Sequence, residues 1–309
     1  MMQSGTGGKL AIIAPGQGSQ TPAMLSSLLE NPQNQALLRS WSEAIGLDLV
    51  RLGTTADADE IKDTANAQPL IVAAGLLAFR ALEATKFSLV AGHSVGEITA
   101  AAIAGVISPI DALSLVRARG VEMAKAAAAK PSGMAAVLGG EREVVLQAIA
   151  DLGLVAANDN GGGQIVAAGD LGALSKLAPE GARVRPLAVA GAFHTSYMHS
   201  AVEPLAALAT AMEVSDPKVG VISNKDGAVV TNGREVLDRI VAQISNPVRW
   251  DLCMESLASL GVTGVIEVPP AGTLVGLIKR ATPSIEQCAF KSPADLPIVL
   301  EFAATHGGK

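Results

Sequence analysis

Phe87–Gly105 reads FSLVAGHSVGEITAAAIAG. Its apolar opening, FSLVA, predicts a short buried strand, and EITAAAIAG predicts a helix. Between them stands Gly92-x-Ser94-x-Gly96. A chain that turns sharply from strand to helix has no room for side chains at the turn, so glycines flank the residue at its tip. That residue is lifted clear of the backbone, with its hydroxyl beside the partial positive charge of a helix N-terminus. The arrangement displays a nucleophilic serine.

Outward from this turn the chain alternates strands and helices. Upstream, KLAIIA (Lys9–Ala14) is an apolar strand running into the glycine- and amide-rich turn PGQGSQ (Pro15–Gln20), with helical stretches up to Lys86. Downstream, SPIDALSLVRARG opens a helix, with Ser108 as N-cap, Pro109 at the first helical position and Asp111 at the positive end. From 130 to 193 the predicted order is strand, helix, strand, strand, helix, strand, the βαββαβ signature of a ferredoxin-like module. Parallel α/β segments resume in KVGVISN, GVTGVIEV and TLVGLIKRA. The expectation is an α/β fold: a large parallel-sheet body, hydrolase-like at its serine turn, built from 1–129 and 194–309. A small subdomain, 130–193, is inserted into it. A site at the junction of the two is expected.

Composition bounds the function. The 309 residues are 49% hydrophobic, 17% charged and only 3% aromatic, so the core is aliphatic and the chain folded. A net charge of −6 argues against nucleic-acid binding. Cys253 and Cys288 form no metal or disulfide pattern, which fits a reducing cytoplasm. LIVAAGLLAF (Leu70–Phe79), between Pro69 and Arg80, is too short for a membrane span and is expected to be a buried helix. MMQSGTGG at the start lacks the apolar core of a signal peptide and is expected to be a flexible lead-in.

A serine needs a base. Of the four histidines, His93 adjoins Ser94 and is expected to pack beside it, and His306 to be solvated in the tail. His199 falls within a helix, at the surface or in packing. His194, in VAGAFHTSYM at the end of the inserted module, is the expected base. Asp159 and Asp226 are possible partners for it but read as turn residues, and the third member stays unassigned. A main-chain carbonyl can hold an imidazole tautomer as well as a carboxylate can.

Six motifs then stand in one order: PGQGSQ, GHSVGE, RARG, AGAFH, NPVRW and EVPPAGTL. Together they resemble the malonyl-CoA:acyl-carrier-protein transacylases, and more distantly the acyltransferase domains of polyketide and fatty acid synthases, over roughly Leu10 to Phe290. The resemblance implies a two-step transfer through a malonyl-serine. Ser94 is the implied nucleophile, His194 the base, and Arg119 the grip on the malonyl carboxylate, a role suited to a planar guanidinium. It further implies an oxyanion hole from the main-chain N–H groups of Gln17 and Val95, pocket-lining roles for Gln68 and Asn160, and the Arg249 carbonyl as the brace of His194. Arg117 is expected to be a surface salt-bridge residue.

Phe193 resembles the malonyl-selecting form of its motif. No cofactor is expected to reside in the protein, since CoA and phosphopantetheine belong to the substrates. The implied partners are malonyl-CoA and, transiently, acyl carrier protein, with Lys176, Arg183, Arg185 and Lys225 as candidates for docking it; the chain is expected to be a monomer. EVPPAG has proline where many relatives have glycine, and NDNGGG is unusually glycine-rich. The alternatives are a serine esterase or thioesterase acting on acyl-CoA, and a catalytically silent carrier-binding module.

Overall fold

The apolar runs of the sequence pair with one another in two sheets. The computed structural model describes residues 8–308, so the N-terminal MMQSGTG of the expected lead-in lies outside the described residues. Eleven strands are described: β1 (Leu10–Ala14), β2 (Leu89–Gly92), β3 (Gly133–Gly139), β4 (Val155–Asp159), β5 (Gln164–Gly169), β6 (Ala182–Pro186), β7 (Gly220–Ile222), β8 (Val229–Val230), β9 (Val248–Arg249), β10 (Gly264–Glu267) and β11 (Glu286–Ala289). The result is a mixed α/β structure.

The first sheet runs β11-β10-β1-β2-β7-β8, parallel except for the β7–β8 hairpin. Parallel strands covered on both faces carry unbroken apolar runs, and β1 is buried at all five positions. Leu10, Ile12 and Ala14 face one core with Val90 and the helices Thr64–Phe79, Gly96–Ile103 and Pro109–Ala129. Ala11 and Ile13 face the other core, with Trp250, Met254 and Leu257 of the helix Trp250–Ser259 and Leu274 and Leu277 of Thr273–Ala281. The turns after β1 and β2 leave at the carboxyl ends of adjacent parallel strands, where open α/β sheets bind ligands.

The second sheet runs β6-β3-β5-β4-β9. Its first four strands are antiparallel neighbours, packed on Val145 and Ile149 of the helix Arg142–Asp151. β9 pairs parallel with β4, so this sheet is not confined to 130–193; the late strand covers an edge that β4 would otherwise expose. The second helix is shorter than LGALSKLAP suggested, spanning Leu171–Leu174. Ser175 Oγ bonds back to the Gly172 carbonyl at 2.8 Å, and Pro179 cannot extend a helix. Gly161, Gly162 and Gly163 all have positive φ between β4 and β5, a turn that explains the glycine run.

Ser108 Oγ accepts the Asp111 N–H at 3.1 Å, as a helix cap should. Thr64–Leu82 is the one stretch among the described residues long and apolar enough to cross a membrane by length and composition. Its apolar window is 72% buried inside the fold. His306 is not solvated. The terminal helix Leu296–His306 folds back so that its ring is buried over Gly264, where a Cβ would stand 2.5 Å from the imidazole. Arg117 is half-buried and donates to the Ala65 carbonyl at 2.9 Å instead of forming the expected salt bridge.

Candidate active site

Close backbone contact explains the glycines of the serine turn. A Cβ on Gly92 would lie 2.0 Å from the Gly96 carbonyl carbon, and one on Gly96 would lie 2.2 Å from the Ala14 carbonyl oxygen. Only glycine lets the helix start directly on the ends of β1 and β2. Ser94 itself sits at φ 54° and His194 at φ 61°, left-handed conformations that non-glycine residues hold only where the surroundings enforce them.

The two side chains meet. Ser94 Oγ lies 2.8 Å from His194 Nε2, and His194 Nδ1 lies 3.0 Å from the Gln243 main-chain oxygen. A carbonyl can only accept, so Nδ1 carries the hydrogen and Nε2 is free to accept the Ser94 hydroxyl proton. Burial and the nearby Arg119 cation push the imidazole down to about 3, so it is neutral, and basic in form, through the physiological range.

Gln243, not Arg249, braces the histidine. The chain turns extended after Asn246–Pro247 into β9, which carries the Arg249 carbonyl to the second sheet, where its side chain pairs with Asp251 at 2.7 Å. Gln243 instead ends the helix Gly233–Ala242 and opens the 3-10 turn Gln243–Ser245; its carbonyl accepts the Asn246 N–H at 3.2 Å and offers its second lone pair to His194. Asp159 bonds Arg142 and Asp226 bonds Arg239. Neither is a partner of His194.

Arg119 is 1% exposed. Its Nη1 donates to Gln68 Oε1 at 2.7 Å, and its Nη2 to Gln243 Oε1 at 3.1 Å and to Ser94 Oγ at 3.3 Å. Burial lowers the guanidinium to about 10, which leaves it charged at neutral pH. Among the described residues it has no salt bridge. The acid whose charge acts on it, Glu97, is pushed up to about 8 by burial and is therefore mostly neutral at pH 7. A buried cation without a carboxylate is costly, and the arrangement suits an anionic ligand.

A cleft of about 360 Å³ opens between the two sheets above Ser94. Gln17, Gln68, Asn160, His194 and Arg280 are among its polar lining residues, and Met123, Met134, Val166, Leu187 and Phe193 among its apolar ones. Arg119 and Val95 lie behind this lining, with Arg119 reaching the cleft at Ser94 Oγ. Among the described residues the N–H groups of Gln17 and Val95 have no hydrogen-bond partner. Asn160 Oδ1 lies 2.9 Å from His93 Nε2, so His93 does more than pack: it positions a pocket amide while its ring stands edge-on to Trp250.

Two residues escaped the sequence reading. Gln243 is one, and Asn224 is the other; Asn224 Oδ1 accepts the Ser94 N–H at 2.8 Å. Asn224 stood in a stretch read only as strand and turn, and Gln243 three residues before the NPVRW motif; no local pattern marked either.

A serine hydrogen-bonded to a backbone-braced histidine, with a buried arginine at its oxygen, has a geometry suited to transfer of an anionic acyl group. Residues 12–294 match the model of the acyl transferase domain, and the chain belongs to that class. The malonyl CoA-acyl carrier protein transacylase of Mycobacterium tuberculosis is 53% identical over 295 residues, covering 93% of this chain and 98% of that one. The crystal structure of MCAT from the same organism superposes with a TM-score of 0.91 at 52% identity, covering 94% of this chain and 99% of the other. Within the class, the chain is thus a member of the malonyl CoA-acyl carrier protein transacylase family. One chain of a solved structure described as a type II PKS acyl-carrier protein in complex with its malonyl-transacylase is similar too, at 30% identity and a TM-score of 0.88 over 95% of this chain and 99% of the other.

Proposed function

We propose that this chain moves the malonyl group from malonyl-CoA to the phosphopantetheine thiol of acyl carrier protein through a malonyl ester on Ser94. In the first half-reaction His194 Nε2 takes the Ser94 proton and Oγ attacks the thioester carbonyl. Negative charge gathers on the carbonyl oxygen, facing the N–H groups of Gln17 and Val95. The C–S bond breaks, and CoA leaves as the thiol with the proton from His194. In the second half the pantetheine thiol gives its proton to His194 and attacks the ester, and Ser94 regains the proton as its oxygen leaves. Gln243 holds the imidazole tautomer throughout.

Arg119 binds the free malonyl carboxylate, with Gln68 orienting the guanidinium and Asn160 lining the acyl path. The observation that carries this reading is a buried, charged guanidinium without a carboxylate, 3.3 Å from the nucleophile's oxygen. Phe193, buried against the cleft, selects malonyl over methylmalonyl by crowding an added methyl. No cofactor resides in the protein; CoA and pantetheine enter as substrates.

The architecture proposed is a hydrolase-like body built from the chain on either side of 130–193, with a ferredoxin-like subdomain over 130–193 to which β9 adds a strand. The strand order β6-β3-β5-β4 supports the second part. The protein acts as a cytoplasmic monomer. The carrier meets local basic residues: Arg183 and Arg185 are exposed, two residues apart on the edge strand β6, with Lys176 close by in sequence, whereas Lys225 lies between β7 and β8 of the other sheet. The test is competition between carrier loading and hydrolysis. Malonyl-CoA and holo carrier protein should yield malonyl-carrier stoichiometrically with the CoA released. Free malonate with unloaded carrier would make the enzyme a thioesterase.

A further inference from the structure

Asn224 is wholly buried, yet every polar atom it owns is used. Its side-chain Oδ1 accepts the Ser94 N–H at 2.8 Å and Gln243 Nε2 at 3.0 Å. Its Nδ2 donates to the Gly92 carbonyl at 2.7 Å. Its main-chain N–H donates to Glu97 Oε1 at 2.7 Å, and its carbonyl accepts the Arg249 N–H at 2.8 Å. The orientation of the amide follows from its neighbours. An N–H can only donate and a carbonyl can only accept, so the oxygen faces Ser94 and the nitrogen faces Gly92.

One amide thus clasps the strand side of the serine turn, at the Gly92 carbonyl and the Ser94 N–H on either side of His93. The same amide oxygen holds the side chain of Gln243, whose main-chain carbonyl braces His194 and whose Oε1 accepts from Arg119. The left-handed Ser94 backbone is a conformation that persists only when surrounding contacts over-determine it. We infer that Asn224 is the positioning residue that sets nucleophile and base in register, by joining the backbone of Ser94 to the residue that holds His194. It touches no substrate, since it lies outside the cleft lining. The inference rests on the reading of Ser94 and His194 as nucleophile and base.

The clasp has a specific chemical requirement, one acceptor and one donor side by side. Alanine supplies neither. A carboxylate supplies two acceptors, and its second oxygen repels the Gly92 carbonyl. A protonated carboxyl supplies both functions again, the O–H donating to Gly92. Burial favours that protonated form. The titratable groups facing this position are Glu97 and Cys253, with Arg119 and His194 beyond Gln243. His194, held down to about 3, stays an effective base while the pH is lowered moderately.

The experiment compares wild type, Asn224→Ala and Asn224→Asp, with Ser94→Ala as blank. The probe is a fluorophosphonate, which phosphonylates Ser94 Oγ with loss of fluoride and needs only an aligned serine and base. Labelling rates are read by intact mass between about pH 8 and about pH 5.5, with a thermal melt of each variant. A misplacement of the order of 1 Å costs roughly hundredfold. Asn224→Ala should therefore melt above the assay temperature and label roughly hundredfold more slowly, with the KM for malonyl-CoA unchanged in steady-state assays. Asn224→Asp should be slow at the alkaline end and recover towards wild type as the pH falls.

A folded Asn224→Ala protein that labels within about threefold of wild type would overturn the inference, because it would make the clasp a stability feature only. Should Asn224→Ala not fold, Asn224→Asp decides: a rate relative to wild type that does not change across the pH range overturns it. Wild-type protein that fails to label would instead sink the Ser94–His194 reading, so the two failures are distinct.

Discussion

Replacing Arg119 with alanine tests the anion-binding reading most sharply, because the same change should affect two substrates differently. A two-pronged guanidinium–carboxylate grip contains two charge-assisted hydrogen bonds, each contributing about 1.5–3 kcal/mol. Removing both costs the malonyl transition state about 3–6 kcal/mol, or roughly 10²–10⁴-fold in kcat/KM at about 1.4 kcal/mol per decade. Truncation also leaves Gln68 Oε1 and Gln243 Oε1 without their donor. That damage is common to any acyl group and cancels in a ratio. The assay is acylation of Ser94 by malonyl-CoA and by acetyl-CoA, each followed by CoA release in wild type and Arg119→Ala. The malonyl-to-acetyl ratio should fall by at least about hundredfold. Equal losses for both substrates would refute the reasoning and reduce Arg119 to a structural role. A second readout accompanies it: with the cation gone, one cause of the depressed His194 value disappears, and the acid limb of the rate profile should move to higher pH.

Four further outcomes follow from the structure. Gly92→Ala would drive a Cβ to 2.0–2.3 Å from the backbone of Gly96 and Glu97, an overlap only a backbone shift can relieve. Acylation should be abolished and stability lowered by about 3 kcal/mol or more, as read by urea unfolding. For pH, His194 is held down from 6.5 to about 3, so between those values the unfolded chain binds the extra proton and stability falls as pH falls, by up to about 1.4 kcal/mol per unit. Glu97, raised from 4.5 to about 8, has the opposite sign: the folded state holds the proton, and its contribution is lost as pH rises through that window. Glu97→Gln should therefore gain stability relative to wild type from pH 4.5 to 8 in paired melts, and a constant difference would contradict the assignment. Phe193→Ala should raise methylmalonyl-CoA turnover relative to malonyl-CoA by about tenfold, the scale of one methyl group in a packed site; an unchanged ratio would remove Phe193 from selection.

Much of the site was legible because it depends on local backbone chemistry. Gly92, Ser94 and Gly96 announce a strand-to-helix turn, and Ser108–Pro109–Asp111 announces a helix start, since each motif satisfies its own steric or hydrogen-bonding need within a few residues. Alternation of apolar and helical segments likewise marked β1–β7 and β10, but not β8, β9 or β11. What stayed hidden depends on contacts between residues far apart in the chain. The brace of His194 is a main-chain carbonyl, which every residue possesses, so nothing in the identity of Gln243 could single it out; the family motif pointed six residues further on, to Arg249. Asn224 clasps a turn 130 residues away. His306 is buried because Gly264 leaves space for its ring, a fact about packing and not about the tail's own composition. β9 crosses to the second sheet as two residues, too short for any periodicity to show.

The proposed chemistry depends on a covalent malonyl ester on Ser94. Intact-protein mass after brief mixing with malonyl-CoA, for wild type and Ser94→Ala, tests it in one experiment. Wild type should carry a single malonyl adduct and the variant none, fragmentation should locate the adduct on Ser94, and holo carrier protein should remove it. CoA release without an adduct, or an adduct that persists on Ser94→Ala, would contradict that chemistry.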